Sequence, residues 1–380
     1  MKILFTGGGS GGHVFPIIAV AREMRKIFPK ESIKFFYIGP KDQLGSFLLS
    51  QEGIAVKYIF AGKIRRYWNL KSTIQNLIDI FIFFPLGFIQ SFIYIFFLAP
   101  DIIFSKGGYG SLSPSLAGWV LQAPIFLHES DVAPGLSNKI LGKIALEIFV
   151  SFPRTEYFAP QKMVLVGNPI RRELLEGSME SAKKTFKLTG EKPIVLFLGG
   201  SQGAQRINDL LLLILPTLLK DFELIHQVGI KNFNQVKAEA AAIINKESAK
   251  YYHPVAFLKE AQLKDALAAS FLVISRAGSN SIFEIAALGK PSILIPLPES
   301  AQDHQVKNAY AFANTEGAWV IEEKNLSARF FLEKLKYLFS ETDKLQRMSQ
   351  KAKEFSKPMA AKVIATYFAE YLIKSPFGPK

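Results

Sequence analysis

The stretch "GGGSGGHVFP", residues 7–16, decides how this chain is read: five glycines surround one serine, directly after the apolar run Ile3-Leu4-Phe5 and directly before a histidine. Gly7-x-Gly9-x-x-Gly12 between a strand and a helix matches the dinucleotide fingerprint letter for letter. A nicotinamide-binding unit, however, carries an Asp or Glu at the end of its second strand, and "IKFFYIGP" ends in Gly39-Pro40, with Asp42 beyond the turn. No Gly-Lys-Ser/Thr closes the run, so it is not a Walker loop. What survives is the physics. Glycines let successive backbone N–H groups converge on an anion at the positive end of the helix expected to start near Val14. A close-packed turn without a ligand is the other reading.

Two more clusters favour the anion. "SKGGYGSLSP" (105–114) follows the strand-like "DIIF", and "LGGSQGAQRIN" (198–208) follows "PIVLF". Apolar strand candidates at 2–6, 33–38, 101–105, 124–128 and 147–151 alternate with helical stretches, and after "VLVGNPIRRELL" the pattern restarts at 193–198, 222–227, 271–275 and 292–296. Alternation of this kind predicts α/β architecture with doubly wound parallel sheets. We therefore expect two Rossmann-like domains facing across a cleft, 1–167 and 168–354, with a C-terminal helix at about 355–375 packing back on one of them. A single nucleotide between the domains would use all three glycine turns.

Composition narrows the partners. The 380 residues contain no cysteine, which removes disulfides and thiolate metal sites. The 46 Lys+Arg against 32 Asp+Glu, net +14, favour an anionic partner: phosphorylated metabolite, acidic membrane surface or nucleic acid. The run from Met1 to Phe5 is too short for a signal-peptide core, so no export is expected. Residues 77–98, "LIDIFIFFPLGFIQSFIYIFFL", carry only Asp79 as a charge and are long enough to span a bilayer. Asp79, Gln90 and the Pro85/Gly87 interruption speak against a span. The preceding "GKIRRYWNLK" mixes Lys63, Arg65, Arg66 and Lys71 with Tyr67 and Trp68, which suits an interfacial patch on anionic headgroups. A buried helical hairpin is the alternative.

"GGGSGGHVFP", "SKGGYGSLSP", "LHESDVAPGLSNK", "VGNPIRRE", "GGSQGAQRIN", "SRAGSNSIFEIAALGKPSILIPLP" and "DHQVKNA" follow one another in an order and spacing that resembles the MurG family, glycosyltransferase family 28. The resemblance covers residue 3 to about 315. It implies a GT-B fold and an inverting transfer of GlcNAc from UDP-GlcNAc to the MurNAc 4-hydroxyl of undecaprenyl-diphosphate-linked MurNAc-pentapeptide, lipid I to lipid II. It also implies a peripheral position on the cytoplasmic side of the plasma membrane and no cofactor.

The resemblance carries residue roles with it. Glu284 takes the position that holds the ribose hydroxyls, a bidentate acceptor role suited to a carboxylate. Ser279, Asn280 and Ser281 open the same helix beside the diphosphate. Arg171, Ser201 and Gln202 match positions that reach the nucleotide from the second domain, Arg171 as a permanent cation. Phe257-Leu258 match a segment whose backbone recognises uracil, and Gln305, with Gln302 nearby, matches a glutamine on the donor sugar. Ser10, Gly11 and Gly12 face the donor sugar or the diphosphates from the first domain. Asp131 stands where the family usually has Asn, keeping an acceptor and losing donors.

An inverting displacement needs a base at the acceptor hydroxyl. His13 is the first choice because histidine titrates near neutrality, and Glu129 is the second. His128 is expected to point into the sheet. The five histidines are scattered and no Asp-x-Asp follows a strand, so no metal site is expected and backbone donors are left to stabilise the leaving group. A diacylglycerol glycosyltransferase and a UDP-GlcNAc epimerase are the alternatives on the same scaffold. Nucleic-acid binding would explain the charge but no motif, and is set aside.

Overall fold

The computed structural model describes residues 1–8, 11–63, 65, 70–153, 156–200 and 203–374, apart from the Ala301 side chain. The chain forms two compact units, Met1–Arg171 with Pro358–Lys380, and Arg172–Lys357.

In the first unit the apolar runs become strands. They are β1 (Lys2–Thr6), β2 (Lys34–Gly39), β3 (Ala55–Tyr58), β4 (Ile102–Ser105), β5 (Ile125–Glu129), β6 (Glu147–Val150) and β7 (Met163–Leu165). All pair in parallel, in the order β3-β2-β1-β4-β5-β6-β7, with Leu4 opposite Phe36 on one side and Ile103 on the other. Parallel strands buried on both faces need near-continuous hydrophobic sequence, and every residue of β4 and β5 is buried. The crossovers include α1 (Gly11–Ile27), α2 (Gln43–Gln51), α3 (Leu70–Ile78), α4 (Phe84–Leu98), α5 (Leu112–Val120) and α6 (Leu136–Ile144). The first helix thus starts inside the glycine run, three residues before the expected Val14.

The segment expected at 77–98 is longer, and it is not a hairpin. α3, a π-helical turn at Asp79–Phe83 and α4 run on as one helix, Leu70–Leu98. Pro85 lies inside this helix, directly after the π-helical turn, whose altered hydrogen bonding accommodates its missing N–H. Gly87 permits close approach, since a Cβ there would collide with the Phe60 carbonyl. The polar residues that argued against a span are used locally. Asp79 pairs with Arg65, and Gln90 Oε1 accepts from Phe60 N at 2.8 Å. Only 17% of the most apolar window is buried, and Phe81, Phe96 and Phe97 are 72%, 61% and 78% exposed. Arg66, Tyr67 and Trp68 lie outside the described residues.

The second unit repeats the scheme. Its strands are β8 (Ile194–Leu198), β9 (Glu223–Gln227), β10 (Tyr252–Val255), β11 (Leu272–Ser275), β12 (Ser292–Leu294) and β13 (Ala318–Val320), parallel in the order β10-β9-β8-β11-β12-β13. Its helices are α7 (Met179–Phe186), α8 (Gln205–Asp221), α9 (Phe233–Ile243), α10 (Glu260–Ala269), α11 (Ser279–Ala287), α12 (His304–Ala313), α13 (Ala328–Ser340) and α14 (Thr342–Phe355). The last helix, α15 (Ala360–Lys374), returns to the first unit. It buries Ile364, Phe368 and Leu372 in that core, with Phe368 5.1 Å from Phe126 and 5.3 Å from Phe104, ring centre to ring centre. Burying side chains of this size contributes about 2 kcal/mol each, which fixes the return.

Candidate functional site

The glycine turns stand at the carboxyl ends of β1, β4 and β8, where open parallel sheets place their ligands. In the first unit the turns after β1 and β4 enclose the His13 ring. A Cβ on Gly8 would lie 2.9 Å from its Cδ2 and Nε2, and one on Gly108 would lie 3.0 Å from its Cε1. Gly107 and Gly108 both have φ of 83°, a region closed to most side chains. These glycines make room for the imidazole on two sides.

The imidazole tautomer follows from its partner. Nδ1 lies 3.3 Å from the carbonyl of Lys106. A carbonyl can only accept, so Nδ1 carries the proton and Nε2 keeps its lone pair. Burial, and then the Lys106 charge, lower the His13 pKa to about 4, against the opposing pull of the hydrogen bond to the Lys106 carbonyl and then of Asp131. The ring is therefore neutral at neutral pH, with Nε2 able to accept a proton.

Lys106 itself is 1% exposed. Its ammonium lies 2.8 Å from His128 Nδ1 and 2.8 Å from Ser130 Oγ. An ammonium is donor-only, so His128 Nδ1 accepts, and His128 Nε2–H donates to the Gly167 carbonyl at 3.0 Å. Burial, followed by Lys106, holds the His128 pKa well below its usual value. Burial also lowers the Lys106 pKa, against the pull of Glu129 and Asp131. One lysine thus ties the "SKGG" turn to "HES", through His128 to "VGNP", and through its carbonyl to His13. Sequence reasoning missed it, because a lysine in a glycine turn carries no local sign of burial.

Glu129 is buried, 3% exposed, and both its oxygens are engaged. Asp131 N donates to Oε1 at 2.8 Å and Asn138 Nδ2 to Oε2 at 2.7 Å. Burial, with Asp131 adding, pushes its pKa up. Those bonds organise the 129–138 loop. Arg171, expected from sequence in the second domain, falls instead in the first unit, which the chain leaves only after it. Its guanidinium lies over the Phe15 ring of α1 at 3.9 Å from the centroid, nearly fully buried. Gly11 and Gly12 form the first turn of α1, where a Cβ on Gly11 would lie 3.1 Å from the Phe15 ring. Ser10 lies outside the described residues.

In the second unit, Gly200 and Gly278 differ from the packing glycines around them. A Cβ at either position would meet nothing within 4 Å, whereas one on Gly203 would strike the Val228 carbonyl. Open space over main-chain N–H groups at the head of a helix is what an approaching anion requires. Gly278 caps α11, and Ser279, Asn280 and Ser281 form its first turn. Glu284, on the same helix, is buried rather than solvated, at 8% exposure. Leu258 is buried, and its N–H donates to Gln227 Oε1 at 3.0 Å, so that donor is already engaged within the unit. Gln305, near the start of α12, accepts from Leu297 N at 3.1 Å, which fixes the 297–300 turn. Gln302 and Asp303 just before it have φ of 58° and 55°, a strained pair for side-chain-bearing residues. Ser201 and Gln202 lie outside the described residues.

Two family models match the chain: the glycosyltransferase family 28 N-terminal domain over residues 3–150 and the glycosyltransferase family 28 C-terminal domain over residues 194–364. The chain belongs to glycosyltransferase family 28. Within the family, a Bacillus cereus protein named UDP-N-acetylglucosamine–N-acetylmuramyl-(pentapeptide) pyrophosphoryl-undecaprenol N-acetylglucosamine transferase 2 is 35% identical over 352 residues, 92% of this chain and 95% of its own. A Clostridium tetani transferase of the same name, without the numeral, is 38% identical over 345 residues, covering 90% and 91%. The crystal structure of Acinetobacter baumannii MurG superposes with a TM-score of 0.71 at 22% identity, over 97% of this chain and 99% of that one. UDP-GlcNAc 2-epimerase from Neisseria meningitidis bound to UDP-GlcNAc gives 0.68 at 14%, over 97% and 100%. At those identities the two structures share the fold, that of the GT-B glycosyltransferases, and no more. The epimerase alternative gains a fold and no sequence relationship from this comparison.

Proposed function

We propose that this family 28 enzyme transfers GlcNAc from UDP-GlcNAc to the MurNAc 4-hydroxyl of undecaprenyl-diphosphate-linked MurNAc-pentapeptide, with His13 as the base. The acceptor hydroxyl gives its proton to His13 Nε2 while its oxygen bonds to the anomeric carbon. The bond from that carbon to the β-phosphate breaks on the opposite face, the electron pair leaves with UDP, and configuration inverts. The sequence relatives, which carry this transfer in their names, support the activity. The observation that carries the mechanism is the His13 ring held between two glycine turns, its Nδ1–H committed to the Lys106 carbonyl. Nε2 is thereby the basic atom, whereas Glu129 has both oxygens engaged in its own loop.

UDP is held by the main-chain donors around Gly200 and Gly278, by Ser279, Asn280, Ser281, Ser201 and Gln202, and by Glu284 at the ribose; Leu258, its N–H held by Gln227, offers its main-chain carbonyl to the uracil, and Gln305 contacts the sugar. From the first unit, the family resemblance gives Arg171 the role of a permanent cation and Ser10, Gly11, Gly12 and Asp131 roles in substrate binding. The exposed aromatic face of the Leu70–Leu98 helix, next to Lys63, Arg65 and Lys71, suits peripheral binding to an anionic membrane on its cytoplasmic side, where a lipid-linked acceptor is presented.

The test is incubation of the full-length protein with UDP-GlcNAc and a short-chain lipid I analogue, with the new linkage assigned by NMR. A β-linked disaccharide supports the reading. Release of free UDP with isomerised sugar, or transfer only to diacylglycerol, overturns it.

A further inference from the structure

Arg206 belongs to "GGSQGAQRIN" and Arg276 to "SRAGSNSIFE", two motifs 70 residues apart. Both reach the same carboxylate. Glu323 Oε2 lies 2.6 Å from Arg206 Nη1, and Glu323 Oε1 is in ion-pair contact with Arg276 Nη2 without an aligned hydrogen bond. The Glu323 side chain is 1% exposed, although it sits in the short turn after β13, outside every motif read from the sequence. Arg276 is anchored a second time, donating from Nη1 to the Ile295 carbonyl at 3.1 Å, just beyond β12. Glu323, in the turn after β13, thus pairs with the head of α8 and with the turn after β11, and Arg276 in turn reaches the end of β12.

The placement is costly unless it does something. Arg206 is the second residue of α8, where a cation opposes the positive end of the helix dipole. A buried ion pair adds little net stability after desolvation. What it does provide is geometry, because Arg206 follows Gly203 by three residues and Gly200 by six, and Arg276 stands two residues before Gly278. These are the turns whose main chain is open to an anion.

We infer that Glu323 is a positioning residue that clamps the two nucleotide-binding turns of the second unit in register through Arg206 and Arg276. The inference rests on the donor-binding role proposed above. Removing a negative charge near an anion site should, by charge alone, tighten UDP binding. A clamp predicts the reverse.

The experiment is titration calorimetry of UDP into the full chain and into Glu323→Gln, with a thermal melt of each. The clamp predicts binding about three- to tenfold weaker in Glu323→Gln, with the donor KM raised more than kcat is lowered. Arg206→Met guards against a fold defect, since that side chain is 62% exposed. It should weaken UDP alone, yet add little when combined with Glu323→Gln. Equal or tighter binding by Glu323→Gln, or full additivity in the double variant, overturns the clamp. Absence of UDP binding by the wild type would instead overturn the donor site itself.

Discussion

The ammonium of Lys106 lies 2.8 Å from Nδ1 of His128, in a pocket that excludes water from both. That contact forces one tautomer on His128, and the Lys106 carbonyl forces the opposite tautomer on His13, with its proton on Nδ1. Two histidines of the same unit are thus given different jobs by one residue: His128 holds a loop, and His13 offers a lone pair.

Replacing Lys106 by Met removes the charge but keeps the carbonyl. The Lys106 charge lowers the His13 pKa, so its loss raises that pKa from about 4 toward the ordinary 6.5. The acid limb of kcat/KM then moves to higher pH. Misplacement of the loops lowers turnover at neutral pH by about 100-fold. A pH–rate profile of both proteins checks it, and an unmoved limb counts against the assignment.

Gly8→Ala tests the space around the imidazole. The new methyl group would stand 2.9 Å from the ring, so His13 must shift. Turnover should fall about tenfold or more while UDP affinity stays at the wild-type value. Calorimetry and steady-state rates, measured side by side, separate the two.

His128 and His226 are buried and His13 is half-buried, and all three are held neutral, with His226 lowered to about 3 by burial alone. A histidine whose folded pKa lies below its unfolded 6.5 binds its proton first in the unfolded chain. Its stabilising contribution is complete above pH 6.5 and is lost progressively as pH falls toward the folded value. Glu129, pushed up by burial, works in the other direction as pH falls. Three groups against one predict net acid destabilisation between about pH 6.5 and 4. His226 bonds only within its own core, to Tyr252 Oη at 2.9 Å and Asn208 Oδ1 at 3.0 Å. His226→Gln should remove roughly one proton from the pH slope, about 1.4 kcal/mol per pH unit, in urea melts from pH 7.5 to 4.5.

Phe81→Glu combined with Phe97→Glu places two charges on the exposed face of the long helix without touching its packed side. Co-sedimentation with vesicles containing anionic lipid should be lost. UDP binding, for which no residue of this helix is proposed, should not change.

Much of the fold was legible because central strands of parallel sheets are continuous apolar runs. The strands missed from sequence are β3, β7, β10 and β13, which are the four edges of the two sheets. An edge strand is short and half-solvated, as in "AVKY" or "YHPV", and its sequence resembles a loop. The helix over Leu70–Leu98 was misread for a related reason. Pro85 and Gly87 look like breakers, yet a π-helical turn accommodates the proline and the glycine packs against Phe60. His13 and Glu129 were legible as candidates because their motifs are local. Lys106 and Glu323 were not, since each acquires its meaning from partners far along the chain.

The most direct measurement is the single-turnover rate of GlcNAc transfer to a short-chain lipid I analogue, at saturating UDP-GlcNAc, for the wild type and His13→Ala. With His13 as the base, the variant binds donor normally and transfers about 100- to 10,000-fold more slowly. Transfer by His13→Ala at the wild-type rate would contradict that role and pass the proton to another group.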